Sequence, residues 1–210
     1  MTGPRSPVSG RAGAAASAAA LLLTLLACAA PAAAGPEEGR AKAQTCVACH
    51  GENGNAVSPA FPSLSGQPKQ FIVSALFQFR EGKRQNEIMS PLAAKLSNAD
   101  MNDLAAYFSA QPAAAPQHKT APANVEKGRQ LSVQNNCVAC HAANLMGQQH
   151  IPRLAGQQKD YLRAQLMSFK ASTRGEMDGV MTSAAQALSQ EDIDVLADYM
   201  AGLPVAAGAR

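Results

Sequence analysis

The chain has 210 residues, of which 47% are apolar and 16% charged, and this balance excludes a solvated, disordered polypeptide. Lysine and arginine number 18 against 15 aspartates and glutamates, and this small excess, spread along the chain, predicts no nucleic-acid-binding surface. Aromatic residues make up only 4% of the chain and tryptophan is absent, so the core lacks many of the large side chains that usually fill it.

The first 34 residues have the composition of an export signal. Arg5 and Arg11 precede an apolar stretch at 18–34, and the small residues at 32–34 form a cleavage site before Gly35. A retained membrane anchor is the alternative, but a spanning helix needs roughly 20 apolar residues. The sequence therefore predicts a signal peptide at 1–34 and an exported, periplasmic protein.

Cys28 lies inside this segment and offers a second interpretation. The residues Leu-Leu-Ala-Cys at 25–28 resemble a bacterial lipoprotein box, in which the cysteine is lipidated, although Leu26 fits that pattern poorly. Removal of Cys28 with the signal peptide is the simpler alternative. Lipidation would associate the protein with the membrane.

The remainder of the chain contains an internal repeat. The recurring segments are Cys-Val-Ala-Cys-His at 46–50 and 137–141, Phe-Pro-Ser-Leu-Ser-Gly-Gln at 61–67 with Ile-Pro-Arg-Leu-Ala-Gly-Gln at 151–157, and Leu-Ser-Asn-Ala-Asp at 96–100 with Leu-Ser-Gln-Glu-Asp at 188–192. Self-similarity at displacements of 91, 90 and 92 residues indicates two homologous halves.

A Pro- and Ala-rich segment separates the two halves. Residues 112–122 contain three prolines and no apolar periodicity, which is typical of an extended, semi-rigid connector. The sequence predicts an N-terminal domain at 35–111 and a C-terminal domain at 123–210. Domains of this size have marginal cores unless a disulfide, a metal or a cofactor supports them.

Both halves are predicted to be helical, and no alternating run is long enough for a sheet. The last helix of each half is expected after a capping-box-like start, Ser97 with Asp100 and Ser189 with Asp192. The other helices are expected at 37–45, 67–81, 124–135 and 157–171.

The two Cys-x-x-Cys-His segments carry the clearest chemical signal. In this motif the thiols form thioethers with the vinyl groups of a heme, and the adjacent histidine becomes an axial ligand of the iron. Two copies in matching contexts predict two c-type hemes. The candidate attachment residues are Cys46, Cys49, Cys137 and Cys140, and the candidate axial imidazoles belong to His50 and His141.

The cysteine spacing has two other interpretations. A four-thiolate zinc site shared by the halves and a pair of thioredoxin-like redox motifs both leave the two histidines unexplained. The redox motif also belongs with strand and helix alternation, which this sequence lacks. Disulfides are usual in exported proteins, but the spacing here favours heme attachment.

Met89 and Met181 are the candidate second axial ligands. Each lies seven residues before its Leu-Ser-x-x-Asp segment. An axial thioether raises the reduction potential and fills the coordination site. The rivals are Met101, inside the closing helix, and Met177, which breaks the register set by the first half. Methionines that are expected to pack in the core instead are Met146, Met167 and Met200.

Pro62 and Pro152 follow the heme histidines by similar distances and have two interpretations. They are turn residues ahead of the next helix, or their carbonyl groups accept the proton of the axial imidazole and orient it. His118 and His150 have no counterparts in the opposite half. We expect these two histidines to be surface groups and not ligands.

Together these segments resemble the cytochrome c4 family of diheme electron carriers over essentially the whole mature chain. The resemblance implies an all-α fold of two tandem cytochrome c type I domains, each built around one covalently bound heme. It implies His50/Met89 and His141/Met181 ligation and places Pro62 at the family's supporting proline, with Pro152 its counterpart. It also implies hemes that face each other across the domain interface. The loop after His141 is one residue shorter than its counterpart, so its geometry is expected to differ.

The resemblance implies a periplasmic electron carrier, not an enzyme. Its partners would be a quinol-oxidising complex and a terminal oxidase or reductase. The alternative is a diheme subunit of a dehydrogenase, such as a flavocytochrome c sulfide dehydrogenase. A diheme enzyme of the peroxidase or thiosulfate-oxidising kind would need an open or thiolate-bound iron, and Cys28 is the only spare cysteine.

Five basic residues complete the candidate features. We expect them to lie on solvated helix faces, or alternatively to form a rim that steers an acidic partner. They are Lys83, Arg84, Arg153, Lys159 and Arg163.

Overall fold

The structure is a computed structural model that describes residues 1–3 and 36–205. Within these ranges it is helical, with no strand beyond an isolated bridge between Gln148 and Ile151. The α-helices are α1 (Pro36–His50), α2 (Lys69–Arg80), α3 (Met89–Ala93), α4 (Asn98–Ala110), α5 (Pro122–Gln134), α6 (Cys137–His141), α7 (Lys159–Lys170), α8 (Val180–Gln186) and α9 (Gln190–Gly202), with a 3₁₀-helix at Glu52–Gly54. The predicted signal peptide and Cys28 lie outside the described residues, apart from 1–3. No helix in the described ranges has the length and apolarity to cross a bilayer.

The two halves differ at the cysteine motif. In the first half α1 continues through the motif to His50, beyond the expected end at residue 45. In the second half the helix stops at Gln134, because Asn136 adopts a left-handed conformation with φ of 55°. Asparagine tolerates this conformation better than most residues. A separate short helix, α6, then carries the second motif.

Each half has its own hydrophobic core. The first core is formed mainly by α1, α2 and α4, and the second by α7 and α9 with Leu145. The closing helices α4 and α9 both begin with the expected capping box, in which the serine and aspartate side chains satisfy each other's backbone N–H groups. The all-α prediction is confirmed.

Buried glycines let the first and last helices of each half approach closely. A Cβ atom on Gly39 would collide with the backbone carbonyl of Asp103 and with Tyr107 on α4. A Cβ atom on Gly128 would collide with Tyr199 on α9. The two glycines thus set equivalent helix crossings, and these crossings position the helices that lead into the cysteine motifs.

The connector between the halves is held on both sides. The Ala114 amide donates to Asn55 Oδ1 at 2.8 Å, and Gln117 Nε2 donates to the Ala56 carbonyl at 3.0 Å. Further along, the Ala121 amide donates to Asp198 Oδ2 at 3.0 Å. The connector is therefore hydrogen-bonded to both halves.

The expectation that His118 is a surface group is wrong. Its side chain is partly buried, and its Nε2 lies 2.7 Å from Asp198 Oδ1. No local pattern predicts this contact, because the two residues lie 80 positions apart. His150, by contrast, is exposed as expected.

Asp198 is a buried carboxylate that ties the connector to α9. Burial alone would raise its pKa, but bonds from Lys159, Asn124, the Ala121 amide and His118 outweigh burial and hold the pKa well below its usual range. Because the pKa is depressed on folding, the stabilisation is present above the unfolded pKa of about 4 and is lost as the pH falls further.

We therefore expect Asp198→Asn to lower the free energy of unfolding by about 1–2 kcal/mol at pH 7. The difference from wild type should shrink below about pH 4. Denaturant unfolding across a pH series checks this. Asp194→Asn, on the same helix but half-exposed and paired with Arg163, should cost less than about 0.5 kcal/mol. Equal costs for the two variants would contradict the assignment.

Two of the five basic residues lie between the halves and not on a solvated face or rim. Arg84 donates from Nη2 to Tyr161 Oη at 3.0 Å and to Gln165 Oε1 at 2.9 Å. Arg153 is 1% exposed and donates from Nη2 to the Ser65 carbonyl at 2.9 Å. The two expectations, a solvated helix face and a rim for an acidic partner, are both wrong for Arg84 and Arg153. The sequence carries no signal for side chains that contact each other across the repeat.

Candidate functional site

The first cysteine motif occupies the last turn of α1. Cys46, Cys49 and His50 are spaced at three and four residues, which brings their side chains to one side of the helix. Cys46 packs against the first core, and burial together with the neighbouring Cys49 raises the pKa of its thiol. The motif therefore lies where the helix meets the apolar interior.

The second motif repeats this arrangement on α6. Cys137 packs against the second core, and burial raises its pKa, whereas Cys140 is exposed. All four described cysteines are free thiols. Their thiols are thus available for thioether bonds, and no disulfide competes for them in the described part of the chain.

Both motif histidines are buried and bonded in the same way. His50 Nδ1 lies 2.8 Å from the Pro62 carbonyl oxygen, and His141 Nδ1 lies 2.8 Å from the Pro152 carbonyl oxygen. Since a carbonyl can only accept, Nδ1 must carry the proton, and a neutral ring then keeps its lone pair on Nε2. Burial lowers the pKa of both histidines despite these bonds, which favours that neutral form.

The loops that join each motif histidine to its proline share one anchoring residue, although the second loop is one residue shorter than the first. Gly54 and Leu145 both have positive φ, 78° and 56°, and each carbonyl accepts two amides from the segment beyond the proline. The donors are Leu64 and Ser65 in the first half, and Leu154 and Ala155 in the second. The missing residue of the second half therefore lies between this anchor and Pro152, where the Gln148–Ile151 bridge forms.

The residue after each histidine adopts a backbone conformation that suits glycine. Gly51 has φ and ψ of 76° and 166°, and Ala142 has 67° and 160°. This region is essentially reserved for glycine and costs other residues about 1–3 kcal/mol. Ala142 therefore holds a strained turn that positions His141.

We expect Ala142→Gly to raise the free energy of unfolding by about 1 kcal/mol. The reciprocal Gly51→Ala should lower it, because the new Cβ would also collide with the Asn55 carbonyl. Thermal unfolding of both variants checks the pair. A destabilising Ala142→Gly would show that the strain is absent.

The candidate methionine ligands lie in the first turns of two equivalent short helices. Met89 is the first residue of α3 and Met181 the second residue of α8, and both are partly buried. The rival Met177 is 62% exposed, and Met101 lies in the first-half core at 2% exposure. Met200 lies in the second core, and Met146 and Met167 pack against it.

The helix that carries each methionine is held by a polar side chain that was not predicted from the sequence. Asn86 Oδ1 accepts from the amides of Ile88 and Met89, at 3.0 and 2.8 Å. In the second half the Glu176 carboxylate accepts from the amides of Met181 and Thr182. An Asn three residues before Met89 is a typical capping signal, whereas Glu176 reaches over five residues and has no such signature.

The donor set fits heme c better than the alternatives. Each half presents two thiols one turn apart and a buried neutral imidazole with a free Nε2 lone pair. No three His, Cys, Asp or Glu side chains in the described ranges come together as a metal site, so the shared zinc site is not formed. The thioredoxin-like alternative needs strands, which the described residues lack.

Comparison with known proteins agrees with this site. The cytochrome c family model matches residues 36–111 and again 125–204. The chain is 36% identical to cytochrome c4 of Thiocapsa roseopersicina, covering 80% of this chain and 92% of the relative. It is also 36% identical to a thiosulfate dehydrogenase electron acceptor of Stutzerimonas stutzeri, covering 77% and 80%.

A solved structure shows the same architecture. The crystal structure of reduced cytochrome c4 from Pseudomonas stutzeri superposes with a TM-score of 0.76 at 31% identity, covering 81% of this chain and all of that one. The chain therefore belongs to the cytochrome c family and, within it, to the cytochrome c4 proteins, which makes it a diheme electron-transfer protein, not an enzyme, with two hemes c.

Proposed function

We propose that this protein is a periplasmic carrier that moves single electrons between respiratory complexes, from a quinol-oxidising complex toward a terminal oxidase or reductase. The observation that carries the proposal is the duplicated site. Each half holds its candidate histidine through a 2.8 Å bond to a proline carbonyl and carries its candidate methionine in the first turn of a short helix.

The proposed axial ligands are His50 with Met89 and His141 with Met181. A heme c held in this way supplies a one-electron iron couple with no open coordination position. Two such sites in one chain store two electrons and bind no substrate at the metal. The domains that carry them are proposed at 35–111 and 123–210, joined by the 112–122 connector.

The surrounding residues hold these ligands in a fixed geometry. The Pro62 and Pro152 carbonyls fix the tautomer and the orientation of each imidazole, and such outer partners also raise ligand basicity. Asn86 and Glu176 fix the start of each methionine helix. A rigid ligand set favours electron transfer, because few atoms have to move when the charge on the iron changes.

A second candidate partner is a thiosulfate dehydrogenase. Relatives that bear the name thiosulfate dehydrogenase electron acceptor are 32% and 36% identical over most of this chain. The chemistry of the site is the same for either donor, so only the docking surface distinguishes them.

The donor can be tested with the purified, fully loaded protein. Under the proposal, membranes that contain the quinol-oxidising complex reduce the protein when supplied with quinol, and an inhibitor of that complex blocks the reduction. Oxidase-containing membranes then reoxidise it. The absorbance of the reduced heme follows both steps. Failure of both steps, with fast reduction by thiosulfate and its dehydrogenase, would favour the second candidate.

Export is proposed to remove residues 1–34 and leave Gly35 as the first residue. The N-terminal mass of the protein from a periplasmic extract tests this directly. A chain that begins at Gly35 supports cleavage at Ala34. A chain that begins at a lipid-modified Cys28 and stays with the membrane would show a tethered carrier instead.

A further inference from the structure

We infer that Gln67 and Gln157 act as positioning residues, each strengthening the hydrogen bond of the axial histidine in the opposite half. We call the two side chains, with the backbone of Ser63 and Arg153 that they grip, the glutamine clasp. The inference rests on the proposed assignment of His50 and His141 as ligands.

The clasp is reciprocal and nearly symmetric. Gln157 Oε1 accepts from the Ser63 amide at 2.7 Å, and its Nε2 donates to the Ser63 carbonyl at 2.9 Å. Gln67 Oε1 accepts from the Arg153 amide at 2.9 Å, and its Nε2 donates to the Arg153 carbonyl at 3.0 Å. Each glutamine therefore pairs with one residue of the other half, as an added strand would.

All four residues of the clasp are shielded from water. Gln67 and Gln157 are each 3% exposed, Ser63 is 8% exposed and Arg153 is 1% exposed. A buried amide that lost its partner could not recover it from solvent, so breaking either pair of bonds would destabilise the folded protein. The clasp bonds are therefore maintained in the folded protein.

The glutamine clasp is hydrogen-bonded to the same peptide groups that orient the histidines. The Pro62 carbonyl and the Ser63 N–H belong to one peptide unit, and so do the Pro152 carbonyl and the Arg153 N–H. His50 donates to one end of the first unit while Gln157 accepts from the other end. His141 and Gln67 hold the second unit in the same way.

Hydrogen bonds linked through one peptide unit strengthen each other. An acceptor on the N–H polarises the amide and makes its carbonyl oxygen more negative. The carbonyl then draws the imidazole proton more strongly and makes the ring a more basic ligand. A more basic ligand stabilises the ferric ion, so each glutamine should lower the reduction potential of the heme in the other half.

The test uses the complete protein with both hemes attached, labelled with ¹⁵N-histidine and reduced. In Gln157→Met the His50 Nδ1–H resonance should move upfield, because its hydrogen bond weakens, while the His141 resonance stays in place. Gln67→Met should do the reverse. In a redox titration followed by NMR, the potential of the heme whose histidine resonance moved should rise.

Gln165→Met is the matched control. It makes the same substitution and also removes a bond between the halves, from Arg84 Nη2 at 2.9 Å, but it touches neither peptide unit. We expect it to leave both histidine resonances unchanged. Gln157→Glu keeps an acceptor oxygen for the Ser63 amide and should restore the His50 resonance toward its wild-type position.

Three outcomes would overturn the inference. They are no shift in either glutamine variant, a larger shift at the histidine of the substituted half, and equal shifts with Gln165→Met. The ligand assignment itself is read separately in the wild-type spectrum. Heme-shifted ring protons of His50 and His141 support that assignment, and their absence would defeat the proposed ligation independently of the clasp.

Discussion

Replacing Met181 by alanine is expected to lower the reduction potential of the heme in the second half by a few tenths of a volt, within the range of about 0.8 V that axial ligands span. The reduced variant should also bind carbon monoxide, because the change opens a coordination position. Met89→Ala should do the same to the other heme. Spectroelectrochemical titration and the carbon monoxide difference spectrum measure both effects.

The structure favours Met181 over its neighbour for a physical reason. Met181 is partly buried in the first turn of α8, and Glu176 accepts its amide at 2.9 Å. Met177 lies four residues earlier and is 62% exposed. The heme is expected to lie in the core of the second half. A side chain as exposed as that of Met177 makes few contacts with this core.

Met177→Ala is therefore the matched control, and we expect it to leave both potentials unchanged. A partial loss of the ferric methionine-to-iron absorption band in Met177→Ala, with the band at full intensity in Met181→Ala, would reverse the assignment. An unchanged band in both variants would point to a ligand other than methionine in the second half.

Gly39→Leu is expected to lower the free energy of unfolding by about 3 kcal/mol, a large share of the total stability of a small domain. The new side chain would have to occupy space already filled by the Asp103 backbone and by Tyr107. Backbone cannot rotate away as a flexible side chain can, so α1 would have to separate from α4. Thermal unfolding of the loaded protein measures the loss.

Ala41→Leu provides the control on the same helix. Ala41 is exposed, so the larger side chain enters solvent and the change should stay within about 0.5 kcal/mol. If Gly39→Leu unfolded at the same temperature as Ala41→Leu, the close crossing of α1 and α4 would not support the first domain.

Local signals in the sequence were enough to predict the fold and the attachment chemistry. The motif at Cys46 requires short-range spacing, which the sequence displays directly. The capping boxes at Ser97 and Ser189 are also local patterns, and both form. The bond from His50 to the Pro62 carbonyl agrees with one of the two interpretations that the sequence offers for this proline.

Contacts between distant segments were not predictable in the same way. Arg84 and Arg153 are charged, and charged side chains are mostly exposed, yet both are buried between the halves. His118 lies in a Pro-rich segment that predicts only an extended chain, and its bond to Asp198 depends on how that segment packs. Nothing in the repeat itself indicates that Gln67 and Gln157 grip the opposite half.

The most direct test of the central claim is the intact mass of the purified protein under denaturing conditions. The account predicts the mature polypeptide plus two covalently attached hemes, and the loss of one heme when Cys46 and Cys49 are both replaced by alanine. A mass that corresponds to the polypeptide alone, or to one heme only, in cells that attach heme to other cytochromes would contradict it.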